Sequence, residues 1–288
     1  MLWILLALGA AFSLATADAL TKKFFSDYSA SEMAYIRLFY AAPWFIITLF
    51  MSTPPNAPVG IWLLVAAMLP LEILALLLYM RAIKLSPLSL SIPFLAFTPV
   101  WMILSSWLIL GELPNAYGAI GISVVAAGAY VLNIGGGNVG LLGPVKAVFR
   151  EPGSRLMLAV SVIYAVTAAV GKKLVLAFGP TYLGSMYFLL LTAVLWPILR
   201  GTGRISAERL VSRPGRGLMV GIFAFSVVLF HVWAISMTPA AYMVAIKRLS
   251  LVFSVFYGRL VFKETQFSKR LAGAAMMFLG VVLISVWG

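Results

Sequence analysis

The chain has 288 residues, 63% of them apolar and 10% charged, with a mean hydropathy of +1.06, which is the composition of a polytopic membrane protein with no soluble domain left over. Twenty-one Lys and Arg against eight Asp and Glu give a formal charge of +13, but the cations sit in short loops between apolar runs, so membrane anchoring rather than nucleic acid accounts for most of them. The absence of cysteine excludes disulfides and thiolate chemistry, and a single histidine argues against a His-rich metal site or a conventional catalytic triad.

Apolar runs of roughly 20 residues, bounded by Pro, Gly or charge, predict ten helices near 2–24, 32–52, 60–83, 87–110, 115–134, 155–177, 182–199, 217–236, 239–262 and 268–287. The first run carries Ala15-Thr16-Ala17, which resembles a signal-peptidase site. It lacks a basic n-region and has an internal counterpart, so it reads as a retained helix. Asp18 and Lys22, four apart with the acid first, have the spacing of a local helical salt bridge. Lys22-Lys23 near the end of helix one and Lys172-Lys173 near the end of helix six read either as interfacial anchors or as substrate contacts. Arg37, early in helix two, reads as an anchor.

Glu72 lies about 18 Å along helix three from Gly60, close to the bilayer centre. A carboxylate there pairs, with Arg248 or Arg37, or takes up a proton and couples transport to it. Pro87, Pro93 and Pro99 recur every six residues along helix four and bend it, which suits a cavity wall. The segment 135–154 holds Gly135-Gly136-Gly137 and the amphipathic piece GPVKAVFR, and serves as a tether or a surface-lying segment. It lacks the spacing of a phosphate loop. His231 in helix eight reads as a hydrogen-bonded packing residue or a proton relay.

Helix nine, AAYMVAIKRLSLVFSVFYGRLVF, carries the adjacent cations Lys247 and Arg248 well inside an apolar span. Each costs roughly 2.5–3.5 kcal/mol at a helix centre on insertion scales, so something must compensate them. One reading has them face a cavity and receive an anion. The other has them pair with Glu72 or backbone carbonyls to fix packing.

The chain also repeats itself. Glu112 and Glu264 are 152 residues apart, and that offset superposes Ser86-Pro87 on Thr238-Pro239, Gly121 on Gly273, Gly128 on Gly280 and Tyr79 on His231. The first helices match at an offset of 150. The predicted fold is therefore an all-α polytopic membrane protein of ten transmembrane helices, as two five-helix repeats, 1–134 and 155–288, joined by 135–154. Five being odd, the second copy crosses the membrane in the opposite sense, an inverted repeat of the kind secondary transporters use. At the 152 offset Pro93 and Pro99 meet Ala245 and Leu251, and Lys247 and Arg248 meet Leu95 and Ala96, so one copy is expected to supply bends and the other charge. Fifteen loop cations on one side against Lys172 and Lys173 on the other predict both termini outside and the Arg-rich loop 200–216 in the cytoplasm.

The segments LILGELPNAYGAIGISVVAAGAYVL and GRLVFKETQFSKRLAGAAMMFLGVVLI, each closing a fourth helix with a glutamate, resemble the EamA family of the drug/metabolite transporter superfamily over nearly the whole chain. The resemblance implies metabolite transport through a central cavity, with no cofactor, in a bacterial or archaeal plasma membrane, though family members usually keep both termini in the cytoplasm. AIKRLSLVFSVF is similar to the Lys-Arg helix of plastid triose-phosphate/phosphate translocators, which implies anion binding by Lys247 and Arg248. Glu112 and Glu264 fall where stabilising a helix N-terminus is the simplest role.

The expectation is a secondary transporter of a small anionic metabolite, such as an organophosphate, carboxylate or amino acid. Its substrate site would draw on Lys247, Arg248, Lys172, Lys173, Tyr79 and His231, with Glu72 coupling and Glu112, Glu264, Pro93, Pro99, Asp18 and Lys22 structural. The alternative is a proton-coupled exporter of neutral or zwitterionic metabolites. A membrane enzyme fits less well, because no metal cluster or nucleophile constellation appears. Partners are the substrate and the lipid bilayer, without nucleic acid, in a monomer or homodimer.

Overall fold

The computed structural model describes residues 1–86, 91–134, 151–262 and 267–288, whose regular structure is helical, with no strand among them. The helices are α1 (Leu2–Phe25), α2 (Ala30–Phe50), α3 (Val59–Leu85), a 3₁₀ segment Ile92–Phe97, α4 (Thr98–Leu110), α5 (Ala116–Ile134), α6 (Pro152–Phe178), α7 (Pro180–Gly201), a short α8 (Ala207–Val211), α9 (Pro214–Ser236), α10 (Ala240–Lys247), α11 (Ser250–Phe262) and α12 (Phe267–Trp287). Seven stretches are long and apolar enough to cross a membrane, α10 and α11 counting as one, and three shorter apolar stretches are Phe94–Leu110, Ala116–Leu132 and Leu271–Trp287. Pro87, Glu264 and the piece GPVKAVFR fall outside the described residues.

Helix ends follow from local chemistry. Ser29 and Glu32 close a capping box at the start of α2. Proline occupies the first turn of α6, α7 and α9, where its missing N–H costs nothing. Gly111 ends α4 at φ 71°, and Gly179 turns the chain from α6 into α7 at φ 80°. On α1 the small residues Ala7, Ala10, Ala11, Ala15 and Ala17 are fully buried and let neighbouring helices approach closely. This face makes α1 a wall of the bundle.

The duplication is visible in the packing. Helices α5 and α12 cross at glycines: a Cβ on Gly121 would stand 2.9 Å from the Gly280 carbonyl oxygen, and one on Gly128 would stand 2.8 Å from that of Gly273. By the 152 offset Gly121 corresponds to Gly273 and Gly128 to Gly280, so the contacts interchange when the two copies do. Contacts that rise along one helix while falling along the other mean the pair runs antiparallel.

Two predicted helices are interrupted. Pro99 has no N–H for the Leu95 carbonyl, which accepts from Thr98 instead, and the backbone tightens into the 3₁₀ segment before α4. The same tightening occurs between α10 and α11 without proline: Leu249 N–H bonds the Ile246 carbonyl, and Leu251 N–H that of Arg248. The starts of α4 and α11, Thr98 and Ser250, are 152 apart. The proline pattern suggested that only one copy bends, whereas both do, at equivalent places.

Candidate functional site

A cavity of about 230 Å³ lies between the halves, walled by α2, α3, α6, α7, α9 and α10, with Leu14, Leu95 and Thr98 completing it. Most of the wall is apolar: Phe45, Met68, Leu76, Phe188, Leu191 and Val228 are typical. Among this greasy surface stand Arg37, Glu72, Tyr79, Tyr164, Thr167, Tyr187, His231, Lys247 and Arg248.

The tight turn after α10 brings Lys247 and Arg248 to this wall in succession. Lys247 Nζ is 3.2 Å from His231 Nδ1. With Lys247 as an ammonium, which has only donors, the accepting imidazole is neutral and carries its proton on Nε2. Arg248 is 4% exposed and its Nε has no hydrogen-bond partner. Among the described residues neither cation forms an ion pair. Glu72 is half-buried beside the Thr167 hydroxyl and does not pair with Arg37 or Arg248. The hydroxyls of Thr98 and Tyr187 are buried in the wall without partners. Buried donors left unpaired cost about 1–3 kcal/mol each, so these three groups, Arg248 Nε and the hydroxyls of Thr98 and Tyr187, concentrate unsatisfied polarity in one stretch of the wall.

Beneath this surface lies a closed ion pair. Arg37 Nη1 donates to Asp18 Oδ1 at 2.6 Å and Tyr79 donates to Oδ2 at 2.5 Å. Asp18 is 1% exposed and Arg37 8%. This corrects two sequence expectations. Asp18 faces the bundle interior and meets Arg37 across helices rather than Lys22 along its own. Arg37 is therefore a buried partner and part of the cavity wall, not an interfacial anchor. Lys22 donates to the carbonyls of Ile83 and Ser86.

Lys172 and Lys173 lie outside the cavity. Lys172 pairs with Glu112 and donates to the Thr238 carbonyl at 2.8 Å, while Lys173 is exposed. Glu112 also accepts from Ala240 N–H at 3.1 Å. It thus stabilises the N-terminus of α10 in the other half, the helix that presents Lys247 and Arg248, rather than the helix that follows it in sequence. Pro99 is buried in α4 and does not line the cavity, and the Pro93 side chain falls outside the described residues.

Tyr164, Tyr187, Thr98 and Thr167 were missed by sequence reasoning. Tyr187 is the 150-residue counterpart of Arg37, and Tyr164 that of Leu14; both members of each pair line the cavity. Projecting every in-span polar residue through the repeat would have found Tyr187.

At the Arg-rich loop the two halves are tied together. Both Arg213 guanidinium nitrogens stand 2.9 Å from the Asp27 carboxylate, Tyr28 Oη is 2.6 Å from Ser212 Oγ, and Tyr40 donates to the Leu210 carbonyl. Gly217 and Gly221 let α9 lie directly on Tyr40. The equivalent pair in the inverted copy, α7 and α3, touches far less, and the equivalent of Tyr28 is Phe178, edge-on to Trp62 at 4.7 Å. The first set of contacts is charged and hydrogen-bonded, the second aromatic.

Comparison with known proteins agrees with this architecture. No curated protein matches the chain. A solved crystal structure shares the fold, with a TM-score of 0.74 at 14% sequence identity, over 99% of this chain and 97% of the other. A family model described as "EamA-like transporter family" matches residues 1–134 and 152–286. The chain is an integral, multi-pass membrane protein that belongs to the EamA-like transporter family of the drug/metabolite transporter superfamily.

Proposed function

We propose that the chain moves a small anionic metabolite, of the organophosphate, carboxylate or amino acid class, by secondary-active alternating access through ten spans. These form two inverted units, 1–134 and 155–288, with 135–154 as the tether and the Arg-rich face toward the cytoplasm. The observation that carries the reading is the unpartnered Arg248 Nε beside Lys247, whose contact is a neutral imidazole. Asp18 cancels Arg37, and Glu72 offsets at most one of the two remaining charges. The site keeps an excess positive charge that a guest anion neutralises in low dielectric. A volume below the range for drug-sized ligands suits a small metabolite. Glu112 and Lys172 serve by holding the N-terminus of α10, and Tyr79 by holding Asp18.

The test is uptake by proteoliposomes from a panel of anions. Lys247→Gln abolishes uptake while leaving the protein folded; retained uptake defeats the assignment.

A second reading is favoured by one observation, that Glu72 lines the cavity without an ion pair among the described residues. In it a proton on Glu72 drives export of a neutral or zwitterionic metabolite, and the Lys-Arg pair is structural. Transport driven by a pH gradient, lost in Glu72→Gln and kept in Lys247→Gln, selects it.

A further inference from the structure

A second recess, separate from the transport cavity, lies on the Arg-rich face between the C-terminal end of α7 and the N-terminus of α2. Its volume is about 540 Å³, and Arg200, Arg204, Arg209, Ser29 and Ser206 line it, with Glu32 at its base. The local chain is shaped to make it. Arg200 ends α7, Gly203 reverses the backbone at φ 65°, and Arg204 N–H bonds back to the Leu199 carbonyl, so two arginines four apart flank one opening. Glu32 lies 3.4 Å from Arg209 and also accepts from Ser29 N–H. Among the described residues Arg200 and Arg204 form no ion pair. Three guanidiniums against one carboxylate leave an excess of two positive charges, and the positive end of the α2 dipole points the same way.

We propose that this recess binds a phosphate-bearing anion, and that its occupant is the headgroup of an anionic phospholipid. Guanidinium forks match phosphate oxygens in charge and geometry, and the Ser206 hydroxyl supplies a further donor. The recess sits where two membrane-spanning helices, Ala30–Phe50 and Pro180–Gly201, end on one face, which is headgroup depth. A soluble phosphate offers the same chemistry without that placement. Arg209 also stacks 4.3 Å over the Tyr28 ring in the network that ties the halves together on this face, so occupancy reinforces that tie and registers as thermal stability. None of this depends on what the cavity transports.

The test uses the purified full chain in a neutral detergent, titrated with short-chain phosphatidylglycerol, short-chain phosphatidylcholine or inorganic phosphate while the melting midpoint is followed. The comparison is between Arg200→Gln/Arg204→Gln and the pair Arg81→Gln/Arg155→Gln, which removes equal charge from exposed arginines outside the recess. Phosphatidylglycerol raises the midpoint of the wild type and of the Arg81/Arg155 pair, and binds Arg200→Gln/Arg204→Gln at least about tenfold more weakly. A rise with inorganic phosphate that the same variant abolishes keeps the site and makes its occupant a soluble anion. Equal responses from the wild type and Arg200→Gln/Arg204→Gln, or an equal loss in the Arg81/Arg155 pair, overturn the proposal. If the double variant does not purify as a monodisperse protein, Arg204→Gln alone is read the same way.

Discussion

Lys247 Nζ lies 3.2 Å from His231 Nδ1, where a buried ammonium would ordinarily meet a carboxylate. A neutral acceptor orients the cation without cancelling it, and the charge stays available to the cavity. Leucine at position 231 removes the acceptor and should cost about 1–3 kcal/mol of stability. In a double-mutant cycle by denaturation, His231→Leu is expected to cost much less in a Lys247→Met background. Equal costs in both backgrounds would show that the contact carries no energy.

The Asp18–Arg37 pair calls for a different response. Both groups are buried and each carboxylate oxygen is used, so Asp18→Asn leaves a guanidinium uncompensated at a cost of about 3–5 kcal/mol. Replacing both, as Asp18→Asn with Arg37→Gln, should recover much of that loss. Denaturant or thermal unfolding of the single and double variants measures it.

Close approach of α5 and α12 makes Gly273 intolerant. Any Cβ there overlaps the backbone of Leu132, so Gly273→Val should destabilise by about 1–3 kcal/mol or more. Gly215, in the first turn of α9, meets nothing within 4 Å, and Gly215→Ala should be neutral or slightly stabilising. Melting midpoints of the two variants decide whether the crossing is as tight as described.

The network tying the halves together at the Arg-rich face is accessible to pH. The hydrogen bond from Arg213 holds the Asp27 carboxyl below the usual carboxylate range. A lowered value means the contact is complete above about pH 4 and is lost as pH falls through the folded-state value. The native chain has no cysteine, so Leu38→Cys offers a single label inside the cavity. Labelling from the Arg-rich side with an impermeant thiol reagent should be slow at neutral pH and faster in Arg213→Gln. Unchanged labelling would mean the Asp27–Arg213 contact does not hold that face shut.

Much of the fold was legible because the duplication speaks through spacing: Gly121, Gly128, Gly273 and Gly280 announce the crossing they make. Lys247 and Arg248 stood out because charge in an apolar run is costly wherever it points. Partner choice was not legible. Asp18 sits at ideal helical spacing from Lys22, yet which side of α1 faces Arg37 and Tyr79 depends on how three helices pack. Lys172 and Lys173 looked alike in sequence, and the step of about 100° between adjacent helical residues buries the first against Glu112 and leaves the second exposed. The bend before Ser250 carried no proline to signal it.

The central claim is that Lys247 and Arg248 hold an anionic guest, and a thermal-stabilisation screen of the purified protein tests it most directly, because a ligand of the folded state raises the melting midpoint by mass action. One class of small anions should stabilise the wild type, and Lys247→Gln and Arg248→Gln should lose the shift while still folding. Stabilisation confined to neutral or cationic compounds, or an anion that stabilises both variants as well as the wild type, would contradict it.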